Sequence, residues 1–476
     1  MQITRRAMLG GLAAGLAGPA FGQATRPVAA AEDLVRAAAL GGDVCYQVAD
    51  MRTGLVLEAR GGDRPMPPAS TVKAITALYA LEALGGSYRF DTRLIATGPV
   101  AGGIVQGDLV LAGGGDPTLG TDDLGDMAAG LRARGVTGVT GAFLVWGGAL
   151  PFAPEIANDQ PVHVGYNPSI SGLILNYNRV HFEWKRAGGG YQLSMDARGE
   201  RHLPRAYTAD VSLANRRAPL FTYGDRGGKE HWTVAQAALG KGGSRWLPVR
   251  HPELYAGDVF QTLARAQGIP LPAPQPIAAL PGGTVLVQKS SAALRDVLRD
   301  MLRYSTNITA EAVGMTASRQ RGAPAALGRS GPAMGEWARA RSGMSRAKFV
   351  DHSGLGAASR VTPAEMVRAL AMLGPPAGLR GILRDIALRD QNGRAMKSHP
   401  VKVQAKTGTL NFVSSLAGFM TAPDGTELVF AILTGDVARR ARFKDFEVAE
   451  GSVEWVRRSK RLQQQLIERW AAIYGS

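Results

Sequence analysis

The sequence predicts a mixed α/β (α+β) protein in which at least one domain is inserted between two parts of another. Residues 71–84 place apolar side chains at helical spacing, and residues 403–433 contain strand-like runs joined by turns. More than two hundred residues separate Lys73 from Ser305, and the chain between them has short strand-like runs bounded by glycine. This pattern predicts at least one inserted domain, mainly β or mixed.

The composition is that of a globular protein. With 476 residues, of which 45% are hydrophobic and 20% charged, the chain is long enough for about three domains. Cys45 is the single cysteine, so an intramolecular disulfide is excluded, and we expect Cys45 to pack as a small hydrophobe. The seven histidines show no metal-ligand spacing, so neither a metal nor another cofactor is predicted.

The net charge of +16 raises nucleic acid and anionic surfaces as partners. The 55 lysines and arginines are spread along the chain without a basic block, which argues against nucleic acid. A solvated basic surface is one explanation of the charge, and peripheral contact with anionic cell-wall polymer or membrane headgroups is the other. Residues 455–473 predict an amphipathic basic helix, which we expect to pack against the fold rather than to anchor in a membrane.

Residues 1–22 have the features of an export signal. Arg5 and Arg6 form a twin-arginine start, residues 9–20 form a mild Gly/Ala/Leu-rich core, and residues 20–22 form a small-x-small cleavage site. We therefore expect a periplasmic protein that is exported by the twin-arginine route or by ordinary secretion. The alternative is a disordered tail.

The remaining elements follow from periodicity and turn residues. Helices are expected over 32–40, 71–84, 292–304 and 308–317. Strands are expected over 44–48, 54–59, 107–111, 141–146, 180–184, 403–409, 415–420 and 428–433. A proline-rich stretch stops regular structure just before Ser70, which places Ser70 at the start of a helix. The proline-rich residues 269–276 predict a linker that returns to the main domain.

Three short motifs stand in a fixed order: Ser70-Thr71-Val72-Lys73, Ser305-Thr306-Asn307 and Lys406-Thr407-Gly408. Together they match the S-x-x-K, S-x-N and K-T-G set of enzymes that acylate a serine with a D-alanyl peptide or a β-lactam. A second S-x-x-K copy, Ser345 to Lys348, follows the S-x-N motif and is therefore out of order. The informative signal is the combination of all three motifs.

The first motif places a hydroxyl and an amine where they can react together. At i and i+3 the side chains of Ser70 and Lys73 share one helix face, with Cβ atoms about 5 to 6 Å apart. The amides of the first helical turn point toward the serine, where negative charge develops. A free lysine, with a pKa of about 10.4, is a poor base at neutral pH. We therefore expect burial and a second cation, Lys406, to lower the pKa of Lys73.

On these motifs the chain resembles the penicillin-binding proteins, and within them the type-4, low-molecular-mass D-alanyl-D-alanine carboxypeptidase/endopeptidase family (peptidase family S13). The resemblance extends over nearly all of the mature chain. The runs that carry it besides the motifs are 68–71, 111–119, 167–171, 175–178, 351–355, 406–410 and 414–418. The Gly-Gly-Gly-Asp-Pro-Thr-Leu run over 113–119 and the large insert distinguish the chain from ordinary class A β-lactamases.

The resemblance implies a β-lactamase/transpeptidase-like domain over residues 25–95 and 283–476. It also implies two smaller inserted domains between the first and second motifs. The implied domain II covers 96–165 and 259–282, and domain III covers 166–258.

The resemblance also assigns roles to the motif residues. Ser70 is the implied nucleophile and Lys73 its base, Ser305 relays a proton to the leaving group, and Asn307 holds Lys73 and the substrate amide. The backbone amides of Ser70 and Thr409 form the implied oxyanion hole. The implied substrate-binding residues are Lys406, Thr407, Gly408 and Thr409. These roles agree with chemical need, since a hydroxyl nucleophile requires a base and an oxyanion requires donors.

Two positions depart from the family pattern. Thr306 occupies the centre of the second motif, where Asp or Asn is commoner, and both functional side chains of that motif stay in place. Trp146 stands where family members carry an Asp that grips the free amino group of diaminopimelate. The resemblance therefore covers the acylating centre and leaves recognition of that amino group open.

Three further polar residues are expected to be structural. Asp116 lies beside Gly115, Asp351 lies near Ser353, and both are expected in turns. His352 follows Asp351 directly, and sequence neighbours do not form a Ser-His-Asp geometry unaided. We expect His352 to be solvated or to cap a helix.

The sequence as a whole predicts a periplasmic serine D-Ala-D-Ala carboxypeptidase, with DD-endopeptidase activity, that forms an acyl-enzyme on Ser70. The expected partners are peptidoglycan peptides and β-lactams, and nucleic acid is not one of them. The alternatives are a β-lactamase and a non-catalytic scaffold that binds the cell wall. The three intact motifs argue against the scaffold.

Overall fold

The computed structural model describes residues 28–390, 392–396, 398–443 and 446–475. The predicted export signal over 1–22 lies outside the described residues. Within them there are ten α-helices, which are, in chain order, α1 (Ala31–Ala38), α2 (Val72–Leu84), α3 (Thr121–Ala133), α4 (Pro252–Ala266), α5 (Leu294–Tyr304), α6 (Asn307–Gln320), α7 (Leu327–Ser342), α8 (Pro363–Leu373), α9 (Val437–Arg442) and α10 (Ser452–Tyr474).

The same residues form twenty strands, and each predicted strand has a counterpart among them. In chain order they are β1 (Asp43–Asp50), β2 (Val56–Arg60), β3 (Asp91–Ala96), β4 (Val100–Ala101), β5 (Ile104–Val105), β6 (Leu109–Gly113), β7 (Gly138–Val139), β8 (Phe143–Trp146), β9 (Arg179–Ala187), β10 (Gly190–Asp196), β11 (Ala209–Ala214), β12 (Phe221–Asp225), β13 (Glu230–Ala235), β14 (Gly242–Pro248), β15 (Pro274–Pro276), β16 (Thr284–Ser290), β17 (Arg384–Asp385), β18 (Lys402–Leu410), β19 (Val413–Thr421) and β20 (Glu427–Gly435).

The main sheet has six antiparallel strands in the order β17-β18-β19-β20-β1-β2. β1 pairs with β20 along its whole length, from Asp43 opposite Gly435 to Asp50 opposite Leu428. The two ends of the chain therefore form one sheet, as the sequence predicts. Helices α1 and α10 pack on one face, where Trp455 and Trp470 are fully buried. Helices α2, α5, α6, α7 and α8 cover the other face.

Helix α2 lies at the centre of this helical layer because its first nine residues, 72–80, are all buried. A helix that is apolar all round is stable only when it is surrounded by other elements. It ends at Gly85, whose φ of +79° ends the helical hydrogen bonding. Burial of the whole first turn is what removes Lys73 from water.

The insert is mainly β. One sheet has five strands in the order β15-β8-β6-β3-β16, and three three-stranded sheets have the orders β4-β5-β7, β10-β9-β14 and β11-β13-β12. A single cluster of buried apolar residues, which includes Phe143, Phe182, Trp232 and Phe260, extends across these sheets and helices α3 and α4. The observed architecture confirms the predicted α/β (α+β) class, with a mainly β insert.

The division into domains remains our proposal, and two observations support where its outer boundaries fall. Phe90 and Leu294 belong to the core of the helical layer, whereas Leu94 and Leu286 belong to the core of the insert. β3 and β16 pair with each other within the sheet of the insert. We therefore propose that the chain enters and leaves the insert within residues 90–94 and 286–294, a few residues outside the predicted boundaries.

The structure of the proline-rich residues 269–276 differs from the predicted one at the carboxyl-terminal end of the segment. They were expected to be a linker, but Pro274–Pro276 form β15, which pairs in parallel with β8 at the sheet edge. An edge strand tolerates proline because only one side of its backbone must donate and accept hydrogen bonds. The linker interpretation is therefore wrong for these last three residues.

Two predictions about packing are confirmed. The carboxyl-terminal helix α10 packs against the sheet through Trp455, Leu466 and Trp470. Cys45 is buried in β1 beside Gly61, where it fills space as a small apolar group. Within the described ranges, none of the helices has the length and apolar character needed to cross a bilayer.

Candidate active site

The three motifs meet at one end of the main sheet. Ser70 lies in a short 3₁₀ turn over Ala69–Thr71 that leads directly into α2. The residue before it, Ala69, has a φ of +46°, a left-handed conformation that is uncommon for a residue with a side chain. Such backbone strain persists only where the surrounding structure enforces it. In this turn the Ser70 hydroxyl points toward Lys73, whose Nζ is 2.9 Å from Ser70 Oγ.

Lys73 is fully buried and has three oxygen neighbours. Besides Ser70 Oγ, its Nζ lies 2.8 Å from Asn307 Oδ1 and 2.8 Å from the backbone oxygen of Ser353. Burial lowers the pKa of Lys73 to about 7, against the opposing charges of Glu311 and Asp351. A neutral amine in this position donates its two hydrogens to the two fixed carbonyl oxygens. Its lone pair is then directed at the Ser70 hydroxyl.

Lys406, the second cation expected near Lys73, has a lowered pKa of its own. Lys406 is buried as well, and its pKa is lowered well below its ordinary value by burial first and by Lys73 and Arg384 next. The depressed pKa of Lys73, by contrast, is caused by burial, and Lys406 is not among its causes. The predicted direction of the Lys73 shift is therefore correct. The repulsion between the two amines lowers the pKa of Lys406, and burial lowers that of Lys73.

The second motif joins two helices. Helix α5 ends at Ser305, which has a φ of +60°, and α6 begins at Asn307. Lys406 Nζ lies 3.0 Å from Ser305 Oγ and 2.7 Å from the oxygen of Thr407. Asn307 accepts from Lys73 and donates through Nδ2 to the backbone oxygen of Tyr166 at 2.9 Å. The second motif thus bonds to the main sheet through Ser305 and to the insert through Asn307.

Gly408 allows β18 to approach the Ser70 backbone. A Cβ at this position would lie 2.9 Å from both the oxygen of Pro68 and the amide nitrogen of Ser70. Only glycine fits without displacement, since these are backbone atoms. The close contact brings the backbone around Thr409 next to Ser70.

Among the described residues, the chain on the outer side of β18 pairs with Gln404 and Ala405 and bonds to Val403, and it ends short of the motif. The two-residue turn between β18 and β19 closes on the Leu410–Val413 pair, so the alternation of an antiparallel ladder turns the amide of Thr409 outward. This amide and that of Ser70 are the predicted oxyanion hole. The free edge can also accept an extended peptide as an additional strand.

Glu311 is a buried residue that the sequence interpretation missed. Its carboxylate accepts from the amide of His352 at 3.0 Å and from the amide of Ser353 at 2.9 Å. Burial, followed by the charge of Asp351, raises the pKa of Glu311. By fixing these two amides it also fixes the Ser353 carbonyl that accepts from Lys73. The available signal was its spacing, because Glu311 lies four residues after Asn307 and shares its helix face.

The loop that contains Ser353 is stabilised by hydrogen bonds from its own backbone and by burial of His352. Asp351 accepts from the amides of Gly354 at 2.7 Å and Gly356 at 2.6 Å, in the turn role expected of it. His352 is fully buried, lies 2.7 Å through Nε2 from Ser330 Oγ, and stacks on Tyr79. Burial lowers the pKa of His352 to about 3. The expectation of a solvated or capping histidine is wrong because α2, α6 and α7 enclose this loop.

A cleft of about 610 Å³ opens at Ser70. One side is formed by Ser305 and Asn307 with Tyr166 of the insert, and another by Thr409 at the free edge of β18. Within the described residues, the lining of this cleft does not include Trp146. Trp146 instead packs in a small cluster at the end of β8 and donates to the oxygen of Ala278 at 3.3 Å. The described residues contain no cluster of His, Cys, Asp or Glu able to hold a metal ion.

The site combines a serine at the start of a buried helix, a buried lysine one turn later and a K-T-G strand beside them. It lies on an antiparallel sheet between helical layers. These features together define a class of protein. It is the class of active-site serine enzymes with the transpeptidase/β-lactamase-like fold. The chain belongs to the D-Ala-D-Ala carboxypeptidase 3 (S13) family, whose profile matches residues 28–455, and it is a serine-type D-Ala-D-Ala carboxypeptidase.

Similar proteins agree with this membership. A D-alanyl-D-alanine carboxypeptidase of Actinomadura sp. (strain R39) is 28% identical over 422 residues, which cover 81% of this chain and 76% of that protein. The crystal structure of penicillin-binding protein 4 (DacB) from Haemophilus influenzae matches with a TM-score of 0.71 and 20% identity, and covers 92% of this chain and 99% of that one. The same protein in complex with a β-lactam matches over the same shares, with a TM-score of 0.70 and 20% identity. Both structures share the fold described above.

Proposed function

We propose that the protein removes the terminal D-alanine from peptidoglycan stem peptides through an acyl-enzyme on Ser70. The observation that supports this most directly is the position of Lys73. Its Nζ is 2.9 Å from Ser70 Oγ, fully buried, and held by two further oxygens. This is the arrangement that a general base for a serine requires.

Acylation begins when neutral Lys73 accepts the proton of Ser70. Ser70 Oγ attacks the carbonyl carbon of the penultimate D-alanine, and the amides of Ser70 and Thr409 stabilise the resulting oxyanion. The proton then reaches the nitrogen of the departing D-alanine through Ser305. Water subsequently attacks the ester, with Lys73 again as the base, and releases the shortened peptide.

The K-T-G strand selects the end of the peptide. The terminal carboxylate lies next to Ser305 and favours the protonated form of Lys406, which binds it. The hydroxyls of Thr407 and Thr409 and the backbone that Gly408 brings close also bind it. Asn307 binds the acyl-side amide of the substrate through Nδ2. In the free enzyme Asn307 Nδ2 donates to the Tyr166 carbonyl. In the complex the carbonyl of the substrate amide replaces the Tyr166 carbonyl as the acceptor.

We further propose DD-endopeptidase activity on D-Ala cross-links. The leaving group of such a cross-link is a D-amino acid whose carboxylate is adjacent to the departing nitrogen. It therefore presents to Lys406 and Thr407 the same charge as a terminal D-alanine. The acyl side of the scissile bond is the same in the two reactions.

β-Lactams bind at the same centre in this proposal, since the Haemophilus influenzae protein has been solved with one. Work on peptidoglycan places the enzyme outside the cytoplasm, and we propose the periplasm, with export through residues 1–22 by the twin-arginine route or by ordinary secretion. The net charge of +16 supports peripheral contact with anionic wall polymer or membrane headgroups.

Labelling with a fluorescent penicillin tests the nucleophile. We expect the wild type to be marked covalently and Ser70→Ala to remain unmarked. The matched control is Ser345→Ala, which removes the serine of the second, out-of-order S-x-x-K copy and leaves labelling intact. Covalent labelling of Ser70→Ala would show that another residue is acylated.

Defined muropeptides test the reaction. Release of free D-alanine from a monomeric pentapeptide identifies the carboxypeptidase, and monomers from a cross-linked dimer identify the endopeptidase, with products measured by mass. Rapid turnover of nitrocefin, instead of a long-lived acyl-enzyme, favours a β-lactamase. Binding to cell-wall sacculi without any product favours the scaffold and contradicts the proposal.

A further inference from the structure

The cleft continues well beyond the motif residues. From Ser70 it follows Thr409, Leu410 and Asn411 along the end of β18, and then reaches the first turns of α10. Its volume of about 610 Å³ lies within the roughly 300–1,000 Å³ typical of ligand sites. The terminal dipeptide needs only the part beside Ser70, so the rest is available to another portion of the substrate.

The direction of a bound peptide decides which portion this is. The carboxylate end lies toward Lys406 and the attacked carbonyl lies at Ser70. A strand added to the free edge of β18 therefore runs antiparallel to it, with its acyl side passing Thr409 and Leu410. This direction leads to α10. The residues that precede D-Ala-D-Ala in a stem peptide thus point into the extended part of the cleft.

One face of α10 forms the far wall. Val453, Val456, Arg457 and Lys460 line the cleft and follow the i, i+3, i+4, i+7 spacing of a single helix face. The opposite face, which includes Trp455 and Leu462, is buried against the sheet. The basic side chains over this wall are therefore fixed in direction by the packing of the helix.

The charges on this wall favour an anion. Arg457 and Lys460 are exposed, and Arg457 pairs with Glu454, which lies outside the cleft lining. Glu447 is the carboxylate of the described lining, and it already pairs with Arg245 at 2.7 Å and with His163 at 3.3 Å. Its charge is therefore balanced from the insert. The Arg457–Glu454 pair is exposed and therefore weak, so a ligand carboxylate can replace Glu454 at Arg457 and can contact Lys460 beside it.

We propose that Arg457 and Lys460 form a subsite for a carboxylate on the acyl side of the stem peptide. The inference rests on the proposed function, and it names the substrate feature that the enzyme recognises besides D-Ala-D-Ala. The γ-linked glutamate of a stem peptide supplies such a carboxylate, and its amidated form lacks the charge. Recognition at this place requires no contribution from Trp146.

The test compares two pentapeptides that differ only in whether the glutamate carboxylate is free or amidated. The double variant Arg457→Gln, Lys460→Gln is compared with the double variant Arg134→Gln, Arg461→Gln, which removes two exposed charges outside the cleft lining. Penicillin titration counts the competent sites in each preparation. This count also separates failure of the inference from failure of the proposed function, since an enzyme that penicillin does not acylate refutes the latter.

We expect the wild type to prefer the free carboxylate in kcat/KM by about fivefold to twentyfold, mainly through KM. The preference should fall to about one in the Arg457/Lys460 variant, persist in the Arg134/Arg461 variant, and decrease as salt rises, because exposed charges are screened. Equal rates of the wild type on both peptides overturn the inference. The same holds if the preference persists in the Arg457/Lys460 variant, or if the control variant loses it too.

Discussion

At the scale of single residues, the main result is how the structure makes a base of Lys73. Nine buried residues begin α2, and Lys73 is the one with a basic side chain among them. The pKa of its amine falls to about 7 because charge is costly away from water. The Asn307 side chain and the Ser353 backbone carbonyl then orient the neutral amine. Asn307 belongs to the second motif, whereas the Ser353 carbonyl belongs to none of the three motifs.

The pH dependence of acylation follows from this pKa. Below about pH 7 Lys73 is protonated and its lone pair is lost, so the rate of acylation by penicillin should rise with pH up to about 7 and then level off. Lys73→Met should lower that rate by about 10² to 10⁴-fold. Stopped-flow measurement between pH 5.5 and 8.5 checks both statements. Lys348→Met, in the second S-x-x-K copy, serves as the control, and a flat wild-type profile would contradict the role of Lys73.

The site residues that could be predicted have reactive or charged side chains, and these side chains stand at fixed spacings in the sequence. Ser70 and Lys73, Ser305 and Asn307, and Lys406 were all identified in this way, and the structure brings them together. The Ser353 and Tyr166 carbonyls were not identifiable, because every residue has a carbonyl and its position depends on the fold. His352 was misinterpreted for a similar reason, since its burial comes from helices distant in sequence.

At the scale of elements, the fit between β18 and α2 sets the geometry of the site. The S-x-x-K turn and the K-T-G strand touch through backbone atoms at Gly408, Pro68 and Ser70. The helices and strands that the sequence predicts could be identified because their apolar periodicity is local. Their contact was not, because it depends on a strained backbone at Ala69 and on strand pairing across most of the chain.

Substitution of Gly408 tests this contact. In Gly408→Ala the new Cβ would lie 2.9 Å from two backbone atoms, so β18 must move away from Ser70. We expect acylation by penicillin to slow by about 10²-fold, the loss typical of one oxyanion-hole donor. Gly224→Ala, in β12, is the matched control, because its Cβ would meet no atom within 4 Å. Acylation of Gly408→Ala at the wild-type rate would rule out the proposed oxyanion hole.

At the scale of the whole molecule, the insert and the main domain are joined around the cleft by polar contacts. Glu447 pairs with Arg245 and His163 of the insert, Arg440 faces Asp159 at 3.8 Å, and Asn307 donates to Tyr166. Each contact crosses between regions that are far apart in sequence. The insert therefore shapes one side of the cleft directly.

The Glu447 contacts should stabilise the protein in a pH-dependent manner. The hydrogen bond from His163, followed by Arg245, lowers the pKa of Glu447 to about 2. Its contribution is thus fully present above the ordinary glutamate pKa and is lost as pH falls through about 2. Glu447→Gln should reduce the free energy of unfolding by about 1 kcal/mol at pH 7, because the group is partly exposed.

Urea unfolding at pH 7 and pH 3 measures this difference, which should be smaller at pH 3. Glu336→Gln, at an exposed position on α7, is the control and should match the wild type at both pH values. A deficit of Glu447→Gln that grows toward low pH would reverse the sign and contradict the ion-pair explanation.

The pairing of β1 with β20 also determines when the enzyme can first act. Ser70 is synthesised more than three hundred residues before Lys406, which at about 5–20 residues per second is a delay of roughly 15 to 70 s. During that time the emerging chain contains the reactive serine without the strand beside it. The insert can collapse on its own core, but a competent site awaits strands β18 to β20. Neither a nascent chain nor one that is truncated before β18 can therefore react with substrate or with penicillin.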